Sequence, residues 1–274
     1  MRYVVDHDLH IHTKQSPCSS DPLQTPARIV RYAEENGFST VCLADHFWDE
    51  LVPTCSNWYE KCDFACICES LGYTPPKDNG VKLLFGCETD IDKHFQLGVS
   101  RQRMELFDFI VIPTTHMHMT GLTVDATDSA PERRAELYVK RLDALLSMDL
   151  PFEKVGIAHL TCPLLSNVET HLDVLDMVSD GVFRELFARA AKLKTGIELN
   201  FELSCYQGED IERVLRPYRI AKKEGCLFYF GSDAHHEDVL LRSKENFEAI
   251  VTALDLREEE KFRVPAKADS LFNK

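Results

Sequence analysis

The stretch "DLHIHT", residues 8–13, alternates metal-ligating side chains with apolar ones directly after a β-rich run at residues 3–7. Side chains at i and i+2 of a strand share a face, so Asp8, His10 and His12 are expected to converge on one point. Removing so many polar groups from water is unfavourable unless something offsets it. A bound dication does so, and imidazole with carboxylate is a ligand mix suited to Zn, Mn or Fe. Near the other end, "GSDAHH" (231–236) sets Asp233 and His235 in the same relation.

Outward from these two motifs the chain repeats strand, loop and amphipathic helix. Short β-rich runs fall at 3–7, 39–43, 81–87, 109–113, 154–158, 195–199 and 226–230. "TPARIVRYAEENG" reads as a helix capped by Thr25, with Pro26 at its first position and Gly37 at its end. A second helix is expected over 129–147 and a looser one over 171–192. One over 208–224 is expected to be split or restarted at Pro217. Seven strands alternating with helices imply a parallel sheet, most simply closed into an α/β barrel.

Chemistry in such barrels gathers at the C-terminal ends of the strands. Of the 11 histidines, seven fall at those ends: His10, His12, His46, His116, His118, His159 and His235. Asp8, Asp45, Glu88, Asp90, Glu198, Asn200 and Asp233 join them. His7, His94 and His171 lack that context. Taken alone, His159 on an apolar strand is more often a satisfied core histidine than a ligand, and "DAHH" alone could be a helix cap. One metal cluster accounts for all the strand ends at once.

Composition narrows the partners. Asp and Glu number 45 against 31 Lys and Arg, a formal charge of −14, which argues against nucleic acids and anionic membranes. A 44% hydrophobic chain of 274 residues can bury a full core, and no linker divides it, so one domain over 1–274 is expected. With no apolar signal segment at the start and no run of ~18 apolar residues, the expected location is cytoplasmic and the 10 cysteines free thiols. Cys55, Cys62 and Cys66 lie on one helical stripe with Trp58 and Tyr59, which favours packing over a zinc knot.

In order, "DLHIHT", "LADH", "GCETDI", "THMHM", "GIAH" and "GSDAHHEDV" resemble the motifs of the PHP (polymerase and histidinol phosphatase) superfamily, over residues 8 to about 240. The resemblance implies a distorted seven-stranded (β/α) barrel, TIM-like, carrying two or three divalent ions and cleaving phosphate esters. It places His10, His12, Asp233 and a bridging Glu88 on a first metal. Glu88, His116 and His159 fall on a second, and His46 and His235 on a third. Asp8 and Asp45 become residues that orient imidazoles. Histidinol phosphatase-like members often add another His after the first motif. Here "TKQSPCSSD" offers Cys18 near that position, so a thiolate ligand or a missing third site both stay open.

The implied reaction is hydrolysis of a small phosphomonoester of the histidinol phosphate kind. His235, His118 or Asp45 would protonate the leaving group, and no covalent nucleophile is needed. Candidate substrate contacts are Asn200 and the cations Arg101 and Arg133. The oligomeric state is open. Other classes also fit a metal barrel. An amidohydrolase-type enzyme acting on C–N bonds would share the HxH, though its expected strand-four Lys or Glu is here "PTTHMH". A phosphodiesterase or a non-catalytic metal-binding module are the others.

Overall fold

The computed structural model describes residues 1–53, 56–76 and 80–265. Among these, seven parallel strands stand side by side in chain order: β1 (His7–Ile11), β2 (Thr40–Leu43), β3 (Lys82–Glu88), β4 (Phe109–Pro113), β5 (Val155–Ala158), β6 (Gly196–Leu199) and β7 (Leu227–Phe230). Beyond its last strand the sheet curls back on its first. Ile11 bridges Ala234, Asp233 N–H donates to His10 O at 2.8 Å, and His12 N–H donates to Ala234 O at 3.1 Å. The result is a nearly closed, TIM-like (β/α)7 barrel, as expected.

Helices α1 (Pro26–Asn36), α2 (Phe64–Leu71), α3 (Arg101–Met104), α4 (Pro131–Leu146), α5 (His171–Asp176), α6 (Asp180–Leu193), α7 (Glu209–Lys223) and α8 (Glu237–Leu254) connect the strands. Alternation sorts the strand residues between two layers. Leu9, Cys42, Leu84, Phe109, Val111 and Tyr229 fill the barrel, while Ile110, Ile112 and Ile157 face outward against the helices. Thr25 caps α1 as expected, and Gly37 ends it at φ 67°, a left-handed turn that glycine adopts without strain.

Four expectations change. The first strand is His7–Ile11 rather than 3–7: Tyr3 N–H donates to Leu256 O, so the run begins against the segment after α8, and only its last residues, Asp6 and His7, meet β2. Helix α7 runs unbroken through Pro217, whose ring is buried beside Val214, Leu215, Tyr218 and Ala221. Burial of that apolar face outweighs the local cost of a proline, about 3 kcal/mol. The helix expected over 171–192 is two helices, because Ser179 caps a fresh start at α6. The cysteine stripe is not one helix either. A 3-10 turn at Tyr59–Lys61 ends before Asp63 caps α2, and Cys62 packs with Trp48, Tyr59 and Leu122, while Cys55 lies outside the described residues.

The bottom of the barrel is closed by the segment after α8. Phe262 enters the interior beside Phe109 and Tyr229, and its N–H donates to Phe228 O at 2.8 Å. Lys261, almost fully buried, lies 3.0 Å from both Asp6 oxygens and 2.8 Å from Glu258. Burial disfavours the Asp6 charge, but hydrogen bonds from His7 and Lys261 outweigh it and bring the pKa down to about 2. A carboxylate whose pKa is depressed on folding adds stability above its unfolded value of about 3.9, lost as pH falls toward the folded value. Asp6→Asn should therefore destabilise the fold at pH 6 by less than about 1 kcal/mol given solvent screening, seen as a lower thermal midpoint. The deficit should close between about pH 4 and pH 2, as read by melts of both proteins across that range.

Candidate metal centre

Glu88 ends β3 with 0% exposure, and five imidazoles surround its carboxylate. His46 Nδ1 lies 2.9 Å from Oε2, followed by His12 Nε2 at 3.3 Å and His10 Nε2 at 3.5 Å. His159 Nε2 is 3.1 Å and His116 Nε2 3.8 Å from Oε1. Asp233 closes the cluster, with Oδ1 3.0 Å from His12 Nε2 and Oδ2 3.8 Å from His159 Nε2. Every strand but β6 sends a ligand-type side chain here, from its C-terminal end or just beyond.

Backbone geometry aims two of them. Asp233 (φ 53°) and His159 (φ 61°) adopt the left-handed conformation, which turns the chain sharply inward as the strand ends. Non-glycine residues occupy that region at a cost, and such outliers collect at functional sites.

The donors fall into two groups whose atoms lie within 4.8 Å of one another: His10, Glu88, His159 and Asp233, and His12, His46 and His235. His12 stands between the two, with Nε2 3.0 Å from Asp233 Oδ1 and 3.1 Å from His10 Nε2, while its ring stacks on His235 with centroids 4.0 Å apart. His116 belongs to neither group. It stacks on His159 and points Nδ1 at Asp90 Oδ2, 3.2 Å away. Cys18, exposed at the cavity rim, meets His46 and His235. Burial raises its pKa, but hydrogen bonds to His235 and His46 outweigh that and bring it to about 7.

Burial disfavours charge on both Glu88 and His10. The opposite charges and hydrogen bonds around them still hold Glu88 well below the carboxylate range, and Glu198, Glu88 and Asp233 raise His10 to about 10. Even so, His46 Nδ1, Glu88 Oε2 and Asp233 Oδ1 are buried without a hydrogen-bond partner. Buried polar atoms are rarely left so. His10 Nδ1 is held by the Glu198 carboxylate at 2.7 Å, and its Nε2 turns toward Glu88 Oε2 and Asp233 Oδ1, each 3.5 Å away, so unpaired carboxylate oxygens crowd one point. Divalent cations among these atoms remove the conflict. The donor set fits them.

The supporting contacts differ from those expected of Asp8 and Asp45. A register irregularity between Asp8 and Ile11 breaks the strand alternation, so Asp8 does not share the face of His10. Its carboxylate accepts from Ser232 N–H (2.9 Å), His10 N–H (3.3 Å) and Tyr32 O–H (3.0 Å), pinning β1 to β7, and touches no imidazole. Glu198 orients His10 instead, and its other oxygen accepts His159 N–H at 3.2 Å. Asp45 accepts from Thr13 N–H, Thr13 O–H and Ser16 O–H at 2.7–2.8 Å and presents no free oxygen for proton transfer. Asn200 Nδ2 lies 2.5 Å from His159 Nδ1, so this side chain supports a ligand. With the amide turned over, its oxygen accepts Nδ1–H and fixes the ring, whose Nε2 lies 3.1 Å from Glu88 Oε1.

The two arginines expected at substrate are engaged elsewhere. Arg101 donates to Asp149 O and Oδ2 at 2.7 and 3.2 Å, before β5 and so toward the far end of the barrel. Arg133 is held by Asp128 (2.8 Å) and Glu136 (2.6 Å). His118 stands at the rim beside His116, ring centroids 5.4 Å apart. Burial and then the neighbouring His116 lower its pKa. A cavity of about 520 Å³ opens above the cluster, lined by His46, Trp58, His118, Met119, Leu122 and Leu164 among others. Trp58, from the long loop after β2, sits edge-on to His46 with centroids 5.0 Å apart. A second cavity of about 440 Å³ reaches His159 and Asp233 from the β5–β6 side.

A family model described as the PHP domain matches residues 8–271. Among solved structures, the chain is similar to histidinol phosphate phosphatase from Lactococcus lactis, complexed with zinc, L-histidinol and phosphate. The identity is 14% and the TM-score 0.58, covering 94% of this chain and 99% of that one. A probable 2-pyrone-4,6-dicarboxylic acid hydrolase from Acinetobacter baumannii matches at 12% identity and TM-score 0.43, covering 93% of this chain and 97% of that one. No curated protein matches the sequence.

Gly231 is where the cluster is most sensitive to added volume. A Cβ there would stand 2.6 Å from His10 Cβ and against the Glu198 carboxylate. Gly231→Ala should cost about 1–3 kcal/mol of stability through overpacking and displace His10. Thermal melts and metal content by elemental analysis should both fall below wild type.

Proposed function

We propose that this chain, which belongs to the PHP domain family and is a metal-dependent hydrolase by fold and donor set, cleaves a small phosphomonoester using two or three divalent ions. The observation that carries the reading is the convergence of five imidazoles and Asp233 on the buried Glu88. Zinc, manganese or iron suits this mixture of nitrogen and oxygen donors. His10, His159, Asp233 and Glu88 would hold one ion, and His12, His46 and His235 another. Glu88 lies within reach of both groups, and His116 approaches from the side of His159. Such ions supply an acidified water and positive charge beside the phosphoryl oxygens.

The chain's own residues account for the rest. Glu198, Asn200 and Asp90 fix the rings of His10, His159 and His116, so the donors stay aligned during turnover. Trp58, Met119, Leu122 and Leu164 shed water from the cavity and cover the carbon skeleton of the alcohol. His118 and His235 stand at the rim where the leaving oxygen would emerge. With its pKa lowered, His118 is neutral at pH 7 and would meet that oxygen through a ring N–H.

Charge limits the substrate. Among the described residues no Lys or Arg lines the larger cavity, and Arg213 in the smaller one is tied to Asp173, Asp176 and Asp210. Among the described residues the ions and histidines are left to neutralise an anion, which favours a substrate with a single phosphate and no second acidic group. A small phosphorylated metabolite meets that description.

The test is phosphate release from a panel of phosphomonoesters, histidinol phosphate among them, by protein stripped and reloaded with Zn, Mn or Fe. Release should require metal. Asp233→Asn should lower it by roughly 100-fold or more, the scale of losing one transition-state charge contact. Bound metal with no release from any monoester, but cleavage of diesters or amides, would overturn the phosphomonoester assignment.

A further inference from the structure

We propose that Ser16 is a positioning residue that selects the tautomer of His12 and fixes the backbone of His46, and so sets the ion that these two ligands hold. The inference rests on the metal-site reading above. Ser16 is 1% exposed, in the loop after β1, and its Oγ has three partners: His12 Nδ1 at 2.8 Å, Asp45 Oδ1 at 2.8 Å and the backbone N of His46 at 3.1 Å.

Proton counting fixes the direction of each contact. A serine hydroxyl has one proton and two lone pairs, and an ionised carboxylate only accepts. The Ser16 proton therefore goes to Asp45, which also accepts two hydrogen bonds from Thr13. The Ser16 lone pairs must then accept His46 N–H and His12 Nδ1–H. His12 is thus protonated on Nδ1. Its Nε2 presents a lone pair to the point shared by Glu88 Oε2 (3.3 Å), Asp233 Oδ1 (3.0 Å) and His10 Nε2 (3.1 Å).

Without the hydroxyl the balance reverses. In Ser16→Ala, His12 Nδ1–H has no acceptor, whereas a proton on Nε2 would face the negative charge of Asp233 (Oδ1 at 3.0 Å) and Glu88 (Oε2 at 3.3 Å). That tautomer turns His12 from a metal ligand into a hydrogen-bond donor. The freed His46 N–H also loosens the backbone of a second ligand in the same group. The other group stands on its own supports, since Glu198 holds His10 Nδ1 and Asn200 holds His159 Nδ1. Ser16 touches neither. The loss therefore falls first on the ion that His12 and His46 hold.

The experiment titrates zinc into stripped full-length wild type, Ser16→Ala and Asn200→Ala, reading affinities by chelator competition and stoichiometry by elemental analysis. Ring tautomers are read separately by nitrogen NMR of ¹⁵N-histidine-labelled protein before zinc is added. Ser16→Ala should bind one ion roughly 10- to 100-fold more weakly, keep the other near wild-type affinity, and move the His12 proton to Nε2. Asn200→Ala should weaken the other ion. Equal affinities in wild type and Ser16→Ala, or equal weakening of all ions, would overturn the proposal. So would a wild-type His12 already protonated on Nε2, a measurement that needs no variant to fold. A wild type that binds no zinc, manganese or iron would instead refute the metal-site reading on which this rests.

Discussion

The barrel is organised around the desolvation of one carboxylate. Glu88 has no access to water, and five imidazole nitrogens lie within 3.8 Å of its oxygens. An isolated buried carboxylate would simply take up a proton. Here opposite charge keeps it ionised, and hydrogen bonds to the outer ring nitrogens of His10, His12 and His159 fix those rings with the other nitrogen turned inward. The folded chain thus stores a specific electrostatic demand in its middle, which small cations meet and which water, excluded by the packing, does not.

Meeting that demand shapes the elements around it. Two strand ends bend into left-handed backbone to aim Asp233 and His159. Gly231 has no side chain because His10 and Glu198 occupy its space. Around the donors lies a second layer of carboxylates, amides and hydroxyls, Glu198, Asn200, Asp90, Ser16 and Asp45, each attached to a ring nitrogen or to a residue that is. Ligand groups with separate supports can be altered one at a time. That modularity follows from the chain order of a (β/α) barrel, where each strand end is backed by its own loop.

The parts of this arrangement legible in the sequence are those with a period. Polar residues two apart at the ends of apolar runs have few ways to be buried, so His10, His12, His46, Glu88, His116, His159, Asp233 and His235 could be named before any geometry was known. Six of the seven strands fell close to their expected positions for the same reason. What escaped was aperiodic. The bulge between Asp8 and Ile11, which parts Asp8 from His10, leaves no mark in the side-chain pattern. Arg101 and Arg133 looked free because their acidic partners, Asp149 and Asp128, sit in neighbouring loops with no pattern to announce them. Ser16 is one more loop serine until the fold brings it to Asp45 and His12. Glu198 carried a weak signal, a lone acid between Ile197 and Leu199 on a buried strand, and that signal was right about burial and silent about its partner.

The closure of the barrel floor bears on how the chain folds during synthesis. Phe262 fills the interior from below, and Lys261 ties that segment to Asp6 at the start of β1, 255 positions earlier. β1 also needs residues around Ser232 and Ala234 to complete its seam. A nascent chain can therefore assemble its helices and the middle of its sheet on the ribosome, but its first strand has nothing to close against until residues beyond 230 emerge. The apolar interior of the half-built barrel stays open until residue 262 is out. A translating ribosome that stalls in that last stretch would hold a sticky, incomplete barrel, so chaperone engagement is expected to concentrate there and to end abruptly once the floor is in place.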